Sequence, residues 1–333
     1  MPTNKKETIG EQRKTNYPLS LFWFRRETNL PSNNTLLFIR LANKIFTMKD
    51  KVATAVTFWN DTMDALPPGL VIVLALACIE GGKYFPAFRH ELIGSILMIG
   101  FTFSAGKWVG ESDFRVAWAC HSIGVVLADK IGGGPNVNPA MTVTMWCLGK
   151  LSYTEGIVRI AGQMAGGLVA FPLFHAVSVA LELTPFGGPE FNSNADEFGI
   201  AEAALSEFFA TVCLCFAIYF LNFEFNFGSH HYIIKQTLTA VSIRALIEIF
   251  PTAGPAMNPM LATAWAAFGV GDKFDYPDNF EHYFVYWVSP FAAAVIAAFL
   301  YTIYAGGKFL GVKLPIGPVK PQPEPVVSKR KKN

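Results

Sequence analysis

The chain has 333 residues, of which 52% are hydrophobic, 14% aromatic and only 16% charged. That is too apolar for an ordinary soluble domain of this length and makes a bilayer the expected solvent. The net charge of +2 carries little information by itself, and no nucleic-acid partner is expected. The charges gather in the two ends of the chain and in a few short connections.

Residues 1–65 read as a polar arm of mixed charge, with no charged start, apolar stretch and cleavage site in the order of a secretory leader, so insertion is expected to use internal segments. Residues 66–88 hold a short apolar run, Leu70 to Cys78, between Pro67-Pro68 and Glu80. It is short for a span, and interfacial, re-entrant and tilted placements stay open. Crossing about 30 Å of hydrocarbon takes roughly 20 helical residues. Stretches of that kind lie near 90–109, 112–130, 153–180, 200–222, 232–250 and 282–304, which predicts six spans.

The connection from Glu182 to Glu197 carries four acids and no Lys or Arg, whereas Lys235, the tail from Lys308 and the N-terminal arm are basic. By the positive-inside rule both termini are expected in the cytoplasm. Residues 307–333, proline-rich and ending in Lys329-Arg330-Lys331-Lys332, are expected to be a disordered basic tail. Cys78, Cys120, Cys147, Cys213 and Cys215 show no CxxC pair and read as packing residues, and no metal or cofactor site is expected.

Two apolar segments, Gly132 to Trp146 and Thr252 to Phe268, open on glycine and proline and look like half-helices. They share Gly-Pro-x-x-Asn-Pro: Gly134-Pro135-Asn136-Val137-Asn138-Pro139-Ala140 and Gly254-Pro255-Ala256-Met257-Asn258-Pro259-Met260. Asn is a strong N-cap and Pro suits the first helical position, so each Asn-Pro starts a helix. Upstream of each box stands an acid, Glu91-x-x-x-Ser95 and Glu207-x-x-x-Thr211, 47 and 51 residues before Asn138 and Asn258. The chain is therefore an internal duplication, repeat one 89–180 and repeat two 200–306. With three spans per copy the second enters the membrane inverted. Irregular backbone at membrane depth is tolerated only where it is buried in protein or lines a water-filled cavity, so a polar path past both asparagines is expected.

With these boxes, Gln163-x-x-Gly166 and Tyr286-Trp287-Val-Ser-Pro290, the chain resembles the aquaporin (major intrinsic protein) family over residues from about 88 to 306. The resemblance implies an all-α membrane protein of six tilted transmembrane helices plus two re-entrant half-helices, assembled as a homotetramer with a pore in each subunit. It implies that Asn138-Pro139-Ala140 and Asn258-Pro259-Met260 meet in the pore, where the asparagine NH2 groups face passing water and the helix dipoles repel cations. It places the selectivity filter at Trp118, Leu246, Pro255 and Leu261, and gives Glu91 and Glu207 the task of accepting from loop amides. The second box departs from the pattern at Met260, and Leu261 stands where the outer arginine is usual. These departures look like the unorthodox, or superaquaporin, branch, although Gly269 stands where that branch has a cysteine.

The expected function is passive permeation of water and small neutral solutes such as glycerol or hydrogen peroxide, with membrane lipid as surroundings and no enzyme activity. Alternatives are a secondary transporter, or a closed-pore scaffold with Met260 as plug. His121, His175, Arg159, Arg244, Glu202 and Glu248 read as interfacial or packing residues. Asn33 and Asn60 fit the glycosylation pattern but lie in the arm assigned to the cytoplasm. Lys329 and Lys331 resemble a dilysine retrieval signal, which points to the endoplasmic reticulum or another intracellular membrane, with the plasma membrane as alternative.

Overall fold

The computed structural model describes residues 82–103, 114–180, 188–193, 196–268 and 277–321. The polar arm, Leu70 to Cys78, Gly269, both glycosylation patterns and the terminal lysines lie outside the described residues.

The described chain is all-α apart from one two-residue hairpin. In order it forms α1 (Phe85–Met98, continued by a wider turn Ile99–Phe103), α2 (Phe114–Gly132), α3 (Pro139–Cys147), α4 (Tyr153–Ala180) and α5 (Ile200–Tyr219, continued to Glu224). Then come α6 (His231–Ile249), α7 (Pro259–Phe268) and α8 (Phe280–Ala305). Helices α1, α2, α4, α5, α6 and α8 fall on the six predicted spans, and α3 and α7 on the two predicted half-helices.

Among the described residues α4, α5 and α8 are long and apolar enough to cross a membrane. Helices α2 and α6 fall short of that standard because they carry charge: Arg115, Asp129 and Lys130 on one, Lys235, Arg244 and Glu248 on the other. Neighbouring helices must then satisfy those groups. At the end of the α2–α6 seam nearest Gly132, the Tyr232 hydroxyl donates to Asp129 at 2.6 Å and Lys130 sits over the Tyr232 ring.

The tightest packing joins α1 to α4. A Cβ on Gly162 would come within 2.6 Å of the Phe88 carbonyl, and one on Gly166 within 2.7 Å of the Leu92 carbonyl. Two glycines four apart thus let the backbones touch, the small-residue device of membrane helices. Helices α3 and α7 pack inside the bundle, α3 chiefly on α8 and α4, α7 chiefly on α4.

The structure corrects the expectation of a disordered tail over 307–333 for the part it describes. Lys308–Phe309 and Val312–Lys313 pair as an antiparallel hairpin, and the chain returns along α8. A helix end leaves its last carbonyls without partners. Here the amides of Val319 and Lys320 donate to the carbonyls of Ile303 and Tyr304, and the Leu310 amide donates to Cys147, the last residue of α3. The Lys320 ammonium pairs with Glu224, whose carboxylate also accepts from the Tyr301 hydroxyl at 2.7 Å. That carboxylate holds the Lys320 pKa above its usual value.

The cysteines divide. Cys147 and Cys215 are buried, as packing residues should be, but Cys213 is exposed on α5.

Candidate functional site

The two boxes are built alike, and each starts with strain. Val137 and Met257, the residues before the asparagines, sit at φ 49° and 48°, in the left-handed region that side chains with a Cβ avoid. That conformation turns the chain from loop to half-helix. In each box the asparagine Oδ1 then caps the helix it begins, accepting from the Ala140 amide at 2.8 Å and the Met260 amide at 3.1 Å. Pro139 and Pro259 occupy the first helical position, where no amide hydrogen is needed.

The remaining side-chain groups cross over. Asn138 Nδ2 donates to the Met257 carbonyl at 2.7 Å, and Asn258 Nδ2 donates to the Val137 carbonyl at 2.9 Å. Each asparagine therefore grips the left-handed residue of the other repeat. Both are buried, yet each NH2 carries a second hydrogen beyond the one spent on that bond. The positive ends of α3 and α7 meet at this point.

A carboxylate stands behind each loop. Glu91 Oε1 and Oε2 accept from the Asn136 and Val137 amides at 2.9 and 2.8 Å. Glu207 Oε1 and Oε2 accept from the Ala256 and Met257 amides at 2.5 and 2.9 Å. Both acids are fully buried. By holding the amides, each carboxylate fixes the carbonyls that face the other way along the same peptides.

Around Glu91 there is more. Arg159 Nη1 lies 2.7 Å from Glu91 Oε1, its neighbouring nitrogen lies 2.9 Å from Glu155, and Gln163 Nε2 donates at 2.9 Å both to Glu91 and to the Thr142 hydroxyl. Arg159 is therefore a counter-ion to Glu91 and Glu155. Sequence reasoning missed it, although Glu155, Arg159 and Gln163 stand at successive steps of four and so share a face of α4. Glu202 also has a definite task, accepting from the Gly199 amide at the start of α5.

The predicted filter residues are distributed as follows. Trp118 is partly exposed and donates through Nε1 to Glu248 at 3.1 Å. Leu246 is buried in a cluster with Ala140, Met141, Leu214 and Met257. Pro255 is buried, and Leu261 is partly buried against a second cluster that contains Ile99, Leu168 and Met260. Met260 is fully buried, and its Sδ lies where a Cβ on Gly167 would reach within 2.5 Å. The side chain packs against α4 at Gly167.

Further along α7, Trp265 Nε1 donates to Glu190 at 2.7 Å, and a Cβ on Gly188 would meet the Trp265 ring at 2.2 Å. Gly188 and Glu190 of the acidic connection thus lie against the half-helix. His282 Nε2 and Trp287 Nε1 share the Thr263 hydroxyl at 3.0 and 2.7 Å.

The family model described as major intrinsic protein matches residues 83–301. The chain is 23% identical to a probable aquaporin, PIP2-5, of Arabidopsis thaliana over 57% of its own length and 66% of that protein's. It is 26% identical to Aquaporin-7 of Botryotinia fuckeliana over 82% of its length, and spans only 53% of that relative. The aquaglyceroporin structure from Plasmodium falciparum superposes with a TM-score of 0.55 at 16% identity, covering 66% of this chain and 96% of the other. That likeness establishes the fold, and the family match over residues 83–301 establishes that the chain belongs to the major intrinsic protein family.

Proposed function

We propose that the chain is a transmembrane channel for passive permeation of water and small neutral solutes, glycerol and hydrogen peroxide among them, and that protons are excluded where the two Asn-Pro boxes meet. The supporting observation is the reciprocal bonding of Asn138 and Asn258 to the carbonyls of Met257 and Val137. It holds two NH2 groups and two positive helix ends at one point. A water there accepts from both asparagines and is turned out of line with its neighbours, which interrupts a proton wire, while the dipole ends repel cations.

Selectivity in this reading follows from the ring of Trp118, Leu246, Pro255 and Leu261. Leu261 brings neither a donor nor a charge, so apolar walls favour solutes with a carbon backbone. Membrane lipid surrounds a homotetramer of such pores, and Lys329 and Lys331 hold it in an intracellular membrane, the endoplasmic reticulum first.

Stopped-flow measurement on vesicles carrying the purified protein tests this reading, with water, glycerol and peroxide compared. Leu261→Arg adds a donor and narrows the ring, and the expected outcome is a greater loss of glycerol flux than of water flux. An unchanged glycerol-to-water ratio in a correctly inserted variant would place the constriction elsewhere.

A further inference from the structure

The bundle is charged differently at its two ends. Helices α5 and α8 are both long and apolar enough to cross a membrane. They start beside Asp196, Glu197, Asp278 and Glu281, and the chain beyond the end of α8 carries Lys308, Lys313 and Lys320. By the positive-inside rule the lysine-bearing end faces the cytoplasmic leaflet, whose lipids carry negative charge. Acids of that end are already engaged: Glu224 with Lys320, Glu155 with Arg159, and Asp129 with the Tyr232 hydroxyl.

The hairpin after α8 has no such partner for its charges. In its antiparallel register Lys308 stands directly opposite Lys313, and Phe309 opposite Val312. Side chains alternate between the faces of a strand, so the two lysines share one face. On the other, the Phe309 ring meets Phe299 of α8 with centroids 5.5 Å apart. Like charges directly opposite each other are destabilising, and a two-stranded hairpin is at best marginally stable on its own. Both lysines are exposed, and neither pairs with an acid among the described residues. Leu310, Val312, Ile316 and Val319 of the same segment are exposed as well. Lys313 also lines a cavity of about 290 Å³, together with Thr302, Gly306, Leu314, Ile316 and Pro318.

We propose that the hairpin is a binding site for an anionic phospholipid headgroup of the leaflet in which α8 ends. The headgroup phosphate lies against the Lys308 and Lys313 ammonium groups and supplies the counter-charge that their register calls for. Each ammonium is a compact point charge on a flexible stem, able to reach a phosphate without a fixed geometry. The exposed apolar side chains enter the boundary between headgroups and acyl chains, where burial and attraction to anionic lipid add. A soluble phosphate would meet the lysines but leave Leu310 and Val312 in water. The site needs α8 to span the membrane and end here, and it does not depend on which solute the chain conducts.

The test is native mass spectrometry of the full-length protein in a neutral detergent, titrated with phosphatidylserine, phosphatidylcholine or inorganic phosphate. A lysine beside anionic lipid contributes about fivefold in affinity, so Lys308→Gln combined with Lys313→Gln should weaken phosphatidylserine binding about 25-fold. Lys308→Glu gives Lys313 an opposite charge across the hairpin, and should lose the lipid while keeping the strands paired. Lys5→Gln with Lys6→Gln removes the same charge from the N-terminal arm and should leave the affinity unchanged. Phosphatidylserine should also raise the melting temperature of the wild type and not that of the double hairpin variant, as a ligand of the folded state does. Equal binding of phosphatidylserine and phosphatidylcholine, or an equal loss in the arm variant, overturns the site. Inorganic phosphate binding as tightly as phosphatidylserine overturns the lipid as its occupant. If the double variant does not yield monodisperse protein, Lys308→Glu decides. No flux enters the measurement, so a wild type that conducts neither water nor glycerol overturns the channel reading and leaves the site standing.

Discussion

In the first repeat, Glu91 ties two loop amides, Arg159 and Gln163 into one knot, and Gln163 passes the connection on to Thr142 of the half-helix. In the second, Glu207 holds the amides of Ala256 and Met257, and no cation is among its partners in the described residues. The boxes in front of these acids match to within a degree at the left-handed residue and share every cap and crossing bond. What the duplication has kept is the geometry that aims two asparagines at one point. What it has let drift is how each loop is held from behind.

The largest consequence falls on the acids. Breaking a buried ion pair leaves a charge without its partner, at about 3–5 kcal/mol. Glu91→Gln should therefore cost about 3 kcal/mol, the lower end of that range, in unfolding free energy measured in detergent, because Arg159 loses Glu91 and keeps only the partly exposed Glu155. Glu207→Gln keeps one carbonyl to accept from one loop amide and strands only the other, at about 1–3 kcal/mol. Adding Arg159→Met should restore part of the loss in the Glu91→Gln background, and has no counterpart in the second repeat. Equal losses for the two single variants would show that the knot around Glu91 contributes nothing beyond its amide bonds.

The same contrast marks what the sequence could reveal. Asn138-Pro139 and Asn258-Pro259 were legible because capping is local: the donor, the acceptor and the missing amide hydrogen all lie within three residues. The six spans were legible from length and apolarity. The pairing of Arg159 with Glu91 was not, since a spacing of four shows which face of α4 is polar but not that α1, 68 residues away, meets that face. The ordered tail was hidden for the same reason. Its partners are the last carbonyls of α8 and α3, and a proline-rich stretch carries no sign of them. The bond from Trp118 to Glu248 was hidden likewise, since it joins residues 130 positions apart on two helices.

A smaller effect separates the two left-handed residues. A left-handed conformation costs a residue with a Cβ about 1–2 kcal/mol, and a β-branched one is the worst placed. Val137 is only partly buried, so Val137→Gly should exchange relieved strain for lost contact and change stability by less than about 1 kcal/mol. Met257 is 1% exposed, and Met257→Gly should cost about 2–3 kcal/mol after the same relief, because the cavity outweighs it. Chemical unfolding of the two variants side by side checks this. A loss at Val137 as large as that at Met257 would mean that its side chain, which approaches Gly94, sets the loop as firmly as Met257 does.

The smallest effect concerns the one residue at which the boxes differ after the proline, Ala140 against Met260. Met260 extends into α4, where Gly167 leaves room for its sulfur. The methionine and the glycine are therefore one feature read on two helices, and the measurable quantity is their coupling. Gly167→Ala alone pushes a methyl group against Met260 Sδ, which a flexible thioether can partly evade. Met260→Ala alone opens a cavity beside Gly167. Together the new methyl occupies part of the space the thioether vacates, so the double variant should be more stable than the sum of the two losses by about 1 kcal/mol, within the range for residues in contact. Water permeability should stay near that of the wild type in Met260→Ala, since the side chain is buried against α4. A coupling of zero would mean that α4 and α7 adjust independently, and a jump in water flux on Met260→Ala would return the side chain to the pore.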